Sequence, residues 1–136
     1  MSAIFLDSSV LIRHFRDQNK INSFYTQIRS AYDKLYMSAI AKAEIFSYIK
    51  DNDIEYWNII FKNIRVFPFT ENTIVKTREI ALQLKRKSML IELADMMIAA
   101  TAIENDFPLA TINQSHFERI DRLKLITPEL PELFVP

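Results

Sequence analysis

The sequence predicts an α/β domain whose core is a mostly parallel sheet of about five strands. Two observations carry that expectation. Short apolar runs alternate with amphipathic stretches along the chain, the pattern of repeated βαβ units. The first run, Ala3-Ile4-Phe5-Leu6, is apolar at every position, which suits a strand covered on both faces and therefore central in a parallel sheet. A length of 136 residues fits one domain, 1–136, and no linker, repeat or low-complexity segment divides it.

Asp7 closes the first strand, and Val10, Leu11, Ile12 and Phe15 follow at helical spacing until Asp17-Gln18-Asn19 breaks the pattern. A second helix is predicted over 21–32, with Phe24, Ile28 and Ala31 on one side. Residues 34–37 form the second strand, and Ser38 caps a helix over 39–49. Asp53 caps the next helix, whose inward side is Ile54, Trp57, Ile60, Phe61 and Ile64. Residues 65–69 are a third strand that Pro68 ends or confines to an edge. Thr70 caps a long helix over about 71–87, with Ile74, Ile80, Ala81 and Leu84 inward. The next helix carries Ile91, Ile98, Ala99 and Ala102 on one face and runs out near Asn105-Asp106. Residues 109–112 make a fourth strand ending at Asn113, 115–119 a turn or single helical turn, and 124–127 a fifth strand. Three prolines mark 128–136 as a loosely held tail.

Composition removes several functions. Apolar residues make up 49% of the chain, with ten Phe and five Tyr, so a packed interior is expected and disorder is not. Lys plus Arg equals Asp plus Glu at 17 each, so any contact with a polyanion has to be a local patch or a metal. The absence of Gly rules out every Gly-rich phosphate loop, and the absence of Cys rules out thiol chemistry and disulfides. No apolar run approaches the ~18 residues of a membrane span, and the N-terminus lacks a signal-peptide pattern, so a cytoplasmic protein is expected.

The informative anomaly is Asp95, which lies among Ile91, Ile98, Ala99 and Ala102 at helical spacing. An ionised carboxylate on an apolar face is costly to desolvate and calls for a hydrogen-bond partner, a cation or a metal. Glu44, beside Ile40, Ala41, Ser47 and Tyr48, is in the same position. In open parallel sheets ligands bind beyond the carboxyl ends of the strands, where Asp7 and Asn113 stand. Three carboxylates about 5 Å apart repel by ~3 kcal/mol per pair at an effective dielectric near 20, a cost that protonation or a divalent cation relieves. An oxygen-only set selects hard ions such as Mg²⁺ or Mn²⁺.

Three segments, IFLDSSVLI at 4–12, SAIAKAEIFSYI at 38–49 and ADMMIAATAIENDFPLATINQSHFERI at 94–120, resemble those of PIN-domain proteins of the VapC type, the ribonuclease half of type II toxin–antitoxin pairs. With the helices between them the similarity spans essentially the whole chain. The resemblance implies a three-layer α/β/α fold and Mg²⁺ or Mn²⁺ bound by Asp7, Glu44 and Asp95. It further implies metal-activated water hydrolysing an RNA phosphodiester, a homodimer, and inhibition by a VapB-like antitoxin that lays a peptide arm across the acidic groove. Asn113 takes the fourth catalytic position, where the family often has Asp. His116 stands where related sequences frequently have an acid, and no Gly occurs near Asn105-Asp106. Thr111 and Ser9 are expected to position Asp7 or a phosphate.

Each residue alone has an ordinary reading: Asp7 as a helix cap, Asp95 as a dipole partner if its helix starts near Ala94, Glu44 as a surface charge, Asn113 as a turn residue. Only their joint pattern favours a ligand set. Lys85-Arg86-Lys87 reads as dipole compensation, and Arg119, Arg122 and Lys124 as the better RNA-binding cluster, near the functional edge. The two histidines do not make a zinc site. Two alternatives to a toxin stand beside it: a catalytically weakened PIN-like module that binds RNA or protein, and a PIN nuclease of RNA processing without an antitoxin.

Overall fold

The structure, a computed structural model, describes residues 2–128. Five strands form one sheet with every pairing parallel, in the order β3-β2-β1-β4-β5. These are β1 (Ala3–Leu6), β2 (Lys34–Ser38), β3 (Ile64–Phe67), β4 (Leu109–Ala110) and β5 (Leu125–Ile126). β1 is central because all four of its side chains are buried and only the middle of the sheet covers both faces. The chain steps outward through β2 and β3, then returns to the far side of β1 for β4 and β5. The order therefore reverses between β1 and β4, and the crevice of a parallel sheet opens at the carboxyl ends of those two strands.

By the right-handed rule for parallel crossovers, the strand order puts α1 (Ser8–Arg16), α2 (Phe24–Ala31), α3 (Ala39–Phe46) and α4 (Ile54–Phe61) on one face. α5 (Glu71–Arg86) and α6 (Leu93–Glu104) cover the other, completing three α/β/α layers. α7 (Gln114–Phe117) is a single turn between β4 and β5. The ring of Phe5 on β1 meets those of Tyr36 and Phe67 at centroid distances of 5.4 and 5.0 Å, so aromatic edges pack three adjacent strands together.

Several elements differ from the sequence expectation for local reasons. The Ser23 hydroxyl accepts the Thr26 amide at 3.1 Å, which starts α2 at Phe24 and leaves Ile21 exposed. α3 ends at Phe46 rather than 49, and Ile54 stays exposed at the start of α4 while Trp57 and Phe61 are buried. In α5 the inward stripe is Thr73, Thr77, Ile80 and Leu84, and Ile74 is 52% exposed. Its phase is set by the reciprocal Thr70–Thr73 cap and by the Thr73 hydroxyl, which donates to Glu104 on α6 at 2.8 Å. α6 starts at Leu93, so Ile91 lies before the helix and Asp95 in its first turn. β3 is an edge strand that stops before Pro68, as the proline requires. Without glycine, the left-handed positions fall to Ser88, Asp106 and Arg122, at φ of 55°, 57° and 67°. Asp106 closes α6, and a short polar side chain tolerates that conformation best. Apart from Pro128, the proline-rich tail lies outside the described residues.

Candidate functional site

Asp7 follows β1 at the point of strand reversal and is 2% exposed. Its amide donates to the Ala110 carbonyl at 2.9 Å, locking it in register with the end of β4. The carboxylate does not cap α1. Instead its Oδ2 accepts the hydroxyls of Ser9 at 2.6 Å and Thr111 at 2.8 Å. Each hydroxyl is in turn oriented by a backbone amide, Ile112 N–H to Ser9 at 3.3 Å and Asn113 N–H to Thr111 at 3.0 Å. One carboxylate oxygen is thus held by two donors whose own positions follow from the strand edge and the start of α1.

The other two acids arrive on helices that pack against each other, α3 and α6. Glu44 is half-buried, and its Oε1 accepts the Ser8 hydroxyl at 3.0 Å. Burial pushes its carboxyl above the usual value; the Ser8 bond opposes this, and the charges of Asp7 and Asp95 push it up again. The Asp95 side chain is 13% exposed, with Oδ2 at 2.9 Å from Nδ1 of His116. Burial raises this carboxyl too, against the His116 hydrogen bond, and Asp7 raises it further. Glu44 thus feels the charges of Asp7 and Asp95, and Asp95 that of Asp7.

Among the described residues no three acidic or histidine side chains stand close enough together to enclose an ion as they are. The donor chemistry nevertheless suits a hard divalent cation. Asp7, Glu44 and Asp95 each use one oxygen for neutral donors, and Asp7 Oδ1, Glu44 Oε2 and Asp95 Oδ1 have no hydrogen bond among the described residues. Among the described residues no lysine or arginine forms an ion pair with any of them. Oxygen-only donors, with the Glu44 and Asp95 carboxyls raised chiefly by burial and further by the charge of Asp7, are the situation a Mg²⁺-like ion relieves.

The remaining candidates fall less neatly. Asn113 is exposed, and while its amide supports Thr111, its side chain makes no hydrogen bond among the described residues. A cavity of about 650 Å³ beside Asp95 is walled by Leu90, Ile91, Glu92, Leu93, Ser115 and His116. Arg119 reaches the sulfur of Met89, the residue before Leu90 in that wall. Arg122 and Lys124 do not. Lys124 precedes Leu125, which pairs with Leu109 at the start of β4, so these two cations lie toward the amino end of the sheet, away from Asp7. Their expected place near the functional edge is corrected by the parallel sense of β5. Lys87 is engaged with Asp121 at 3.2 Å. Sequence reading missed His116 as a member of the site. Its signals were its place where the resembling sequences frequently have an acid and a single helical turn after a strand end, three residues beyond Asn113.

An α/β/α domain with carboxylates gathered at the strand reversal is the PIN arrangement, and a PIN-domain family model matches residues 4–123. The chain belongs to that family, and within it to the VapC type. It is 33% identical over 125 residues to Ribonuclease VapC1 of Methanocaldococcus jannaschii, covering 91% of this chain and 85% of that protein. It is 31% identical over 122 residues to Ribonuclease VapC10 of Mycobacterium tuberculosis, covering 89% and 90%. Its fold superposes on DNA-bound VapBC from Salmonella typhimurium with a TM-score of 0.79 at 20% identity, over 93% of this chain and 98% of that one.

Proposed function

We propose that this chain is a Mg²⁺- or Mn²⁺-dependent endoribonuclease and the toxin of a type II toxin–antitoxin pair. The observation that carries the reading is the grip on Asp7 at the strand reversal, with Glu44 and Asp95 close enough for all three charges to interact. Asp7, Glu44 and Asp95 would hold the cation through the oxygens left without hydrogen bonds. When bound, such an ion lowers the pKa of water and polarises a phosphoryl oxygen. Ser9 and Thr111 fix the Asp7 carboxylate, and Glu44 is placed to take a proton from the attacking water. Asn113 offers an uncharged amide at the rim, and Arg119 is the cation best placed for RNA phosphate.

The partner reading rests on similar ground. The relatives named above are VapC ribonucleases and a VapBC complex, which supports a VapB-like antitoxin for this chain. A groove of about 490 Å³ between α1, α3 and α4, with Phe15, Ile45 and Trp57 among its apolar walls and Arg16, Lys50 and Asp53 also lining it, suits an amphipathic segment of such a partner. Exposed Ile74, Val75, Leu90 and Leu93 give a homodimer its apolar contacts. None of the described helices is long and apolar enough to cross a membrane.

One observation favours a second reading, a weakened PIN-like binding module: the Asn113 side chain makes no hydrogen bond among the described residues and brings no charge. Mn²⁺-dependent cleavage of a structured RNA, lost in Asp7→Asn, separates the two. Absence of cleavage by the native chain with Mn²⁺, alongside retained RNA binding, would establish the module instead.

A further inference from the structure

Each acid of the cleft is held by one oxygen, and the holders differ in kind. For Asp7 and Glu44 they are hydroxyls of Ser8, Ser9 and Thr111, from the start of α1 and the end of β4. For Asp95 it is an imidazole on α7, an element that contributes no other hydrogen bond to the acids. The chain's other histidine, His14, is buried and bonded to Ser23 at 2.6 Å, a packing role within α1 and α2. His116 is 49% exposed, so packing does not explain its orientation.

We propose that His116 is a positioning residue for the cation site: its Nδ1–H donates to Asp95 Oδ2, fixes the carboxylate, and leaves Oδ1 as the oxygen offered to the ion. An ionised carboxylate can only accept, so Nδ1 carries the proton of this hydrogen bond. Asp95 sits in the first turn of α6, its rotation limited by no other hydrogen bond among the described residues. Hydrogen-bond donors behind a ligating carboxylate set its direction, and their loss typically weakens metal binding 10–100-fold.

This inference rests on the reading of the cleft as a divalent-cation site, and the test separates the two. Mn²⁺ binding is measured by calorimetry and by the rise in melting temperature on the native chain, His116→Ala, His116→Asn and His116→Gln. Asn presents an N–H near the place of Nδ1 but has no counterpart of Nε2; Gln presents its donor farther out. The expected result is a 10–100-fold weaker Mn²⁺ affinity in H116A and H116Q, recovery to within about threefold in H116N, and equal metal-free melting temperatures. An H116A variant that binds Mn²⁺ like the native chain overturns the inference alone. So does an H116N variant as weak as H116A, which would make Nε2 a ligand. A native chain that binds no Mn²⁺ overturns the inference together with the cation-site reading.

Discussion

Asp7 and the helix-borne pair Glu44 and Asp95 bring the same functional group to one cleft by different means. Asp7 is fixed by strand register: its amide is tied to Ala110, and its carboxylate to two hydroxyls that are themselves tied to backbone amides. Glu44 and Asp95 hang from helices and are each steadied by one side-chain donor. The difference makes Asp7 the fixed point and, on the proposed cation-site reading, Glu44 and Asp95 the arms that would adjust to an ion. It also explains how the cleft can be arranged for an ion while the three groups do not yet enclose one.

The largest expected effect follows from replacing the fixed point. Asp7→Asn keeps an oxygen to accept both hydroxyls, so the fold and the metal-free melting temperature stay near native. Cleavage of RNA falls by about a thousandfold or more, equivalent to ~4 kcal/mol of transition-state stabilisation, and the Mn²⁺-induced rise in melting temperature disappears. Retained cleavage would remove the proposed site. Thr111→Val acts on the same anchor from behind. It removes a buried donor to Asp7 and strands the amide of Asn113, costing about 1–3 kcal/mol in denaturant unfolding and lowering cleavage as well. If cleavage survives at full rate despite that loss of stability, Asp7 does not depend on its anchor.

Glu44 tests the arms through pH. Its folded carboxyl is raised from the ordinary 4.5, so the protonated form is favoured by folding. That contribution is complete below 4.5 and lost as pH rises through the raised value. Glu44→Gln escapes the loss while keeping an acceptor for Ser8. Its metal-free melting temperature should therefore gain on the native chain as pH rises from 4.5 to neutrality. Mn²⁺ should stabilise the native chain most at the high end of that range and the variant little at any pH. Parallel melting curves for the two metal-free proteins across that range would show that burial of Glu44 is inconsequential.

The sequence was most legible where one physical requirement dominates. The run Ala3–Leu6 could only be a strand covered on both sides, and it is the centre of the sheet. Asp95 stood out because a carboxylate beside Ile98 and Ala99 needs a partner. The identity of that partner was not legible: His116 lies 21 residues away, on a turn placed by the switch in strand order. Ile74 misled because hydrophobicity was weighed without the cap. The Thr70–Thr73 pairing and Glu104 turn α5 so that two threonines face inward. Arg122 and Lys124 misled because closeness along the chain to Asn113 says nothing about which end of a parallel strand a residue occupies.

The smallest effect is expected at Ser8, and it is the sharpest probe of the contrast between anchor and arm. Ser8→Ala removes the one donor to Glu44, yet both residues are only half-buried, so water can replace the lost bond. The cost in unfolding should stay within about 0.5 kcal/mol. Losing a donor to the carboxylate also raises the Glu44 carboxyl further, since the Ser8 bond lowers it, and Mn²⁺ must then displace a proton more often at mildly acidic pH. Ser8→Ala should therefore bind Mn²⁺ a few-fold more weakly near pH 6 and almost normally near pH 8. A loss as large as that of Thr111→Val, or one that does not change with pH, would mean that Glu44 is anchored as firmly as Asp7 and that the cleft has no movable arm on that side.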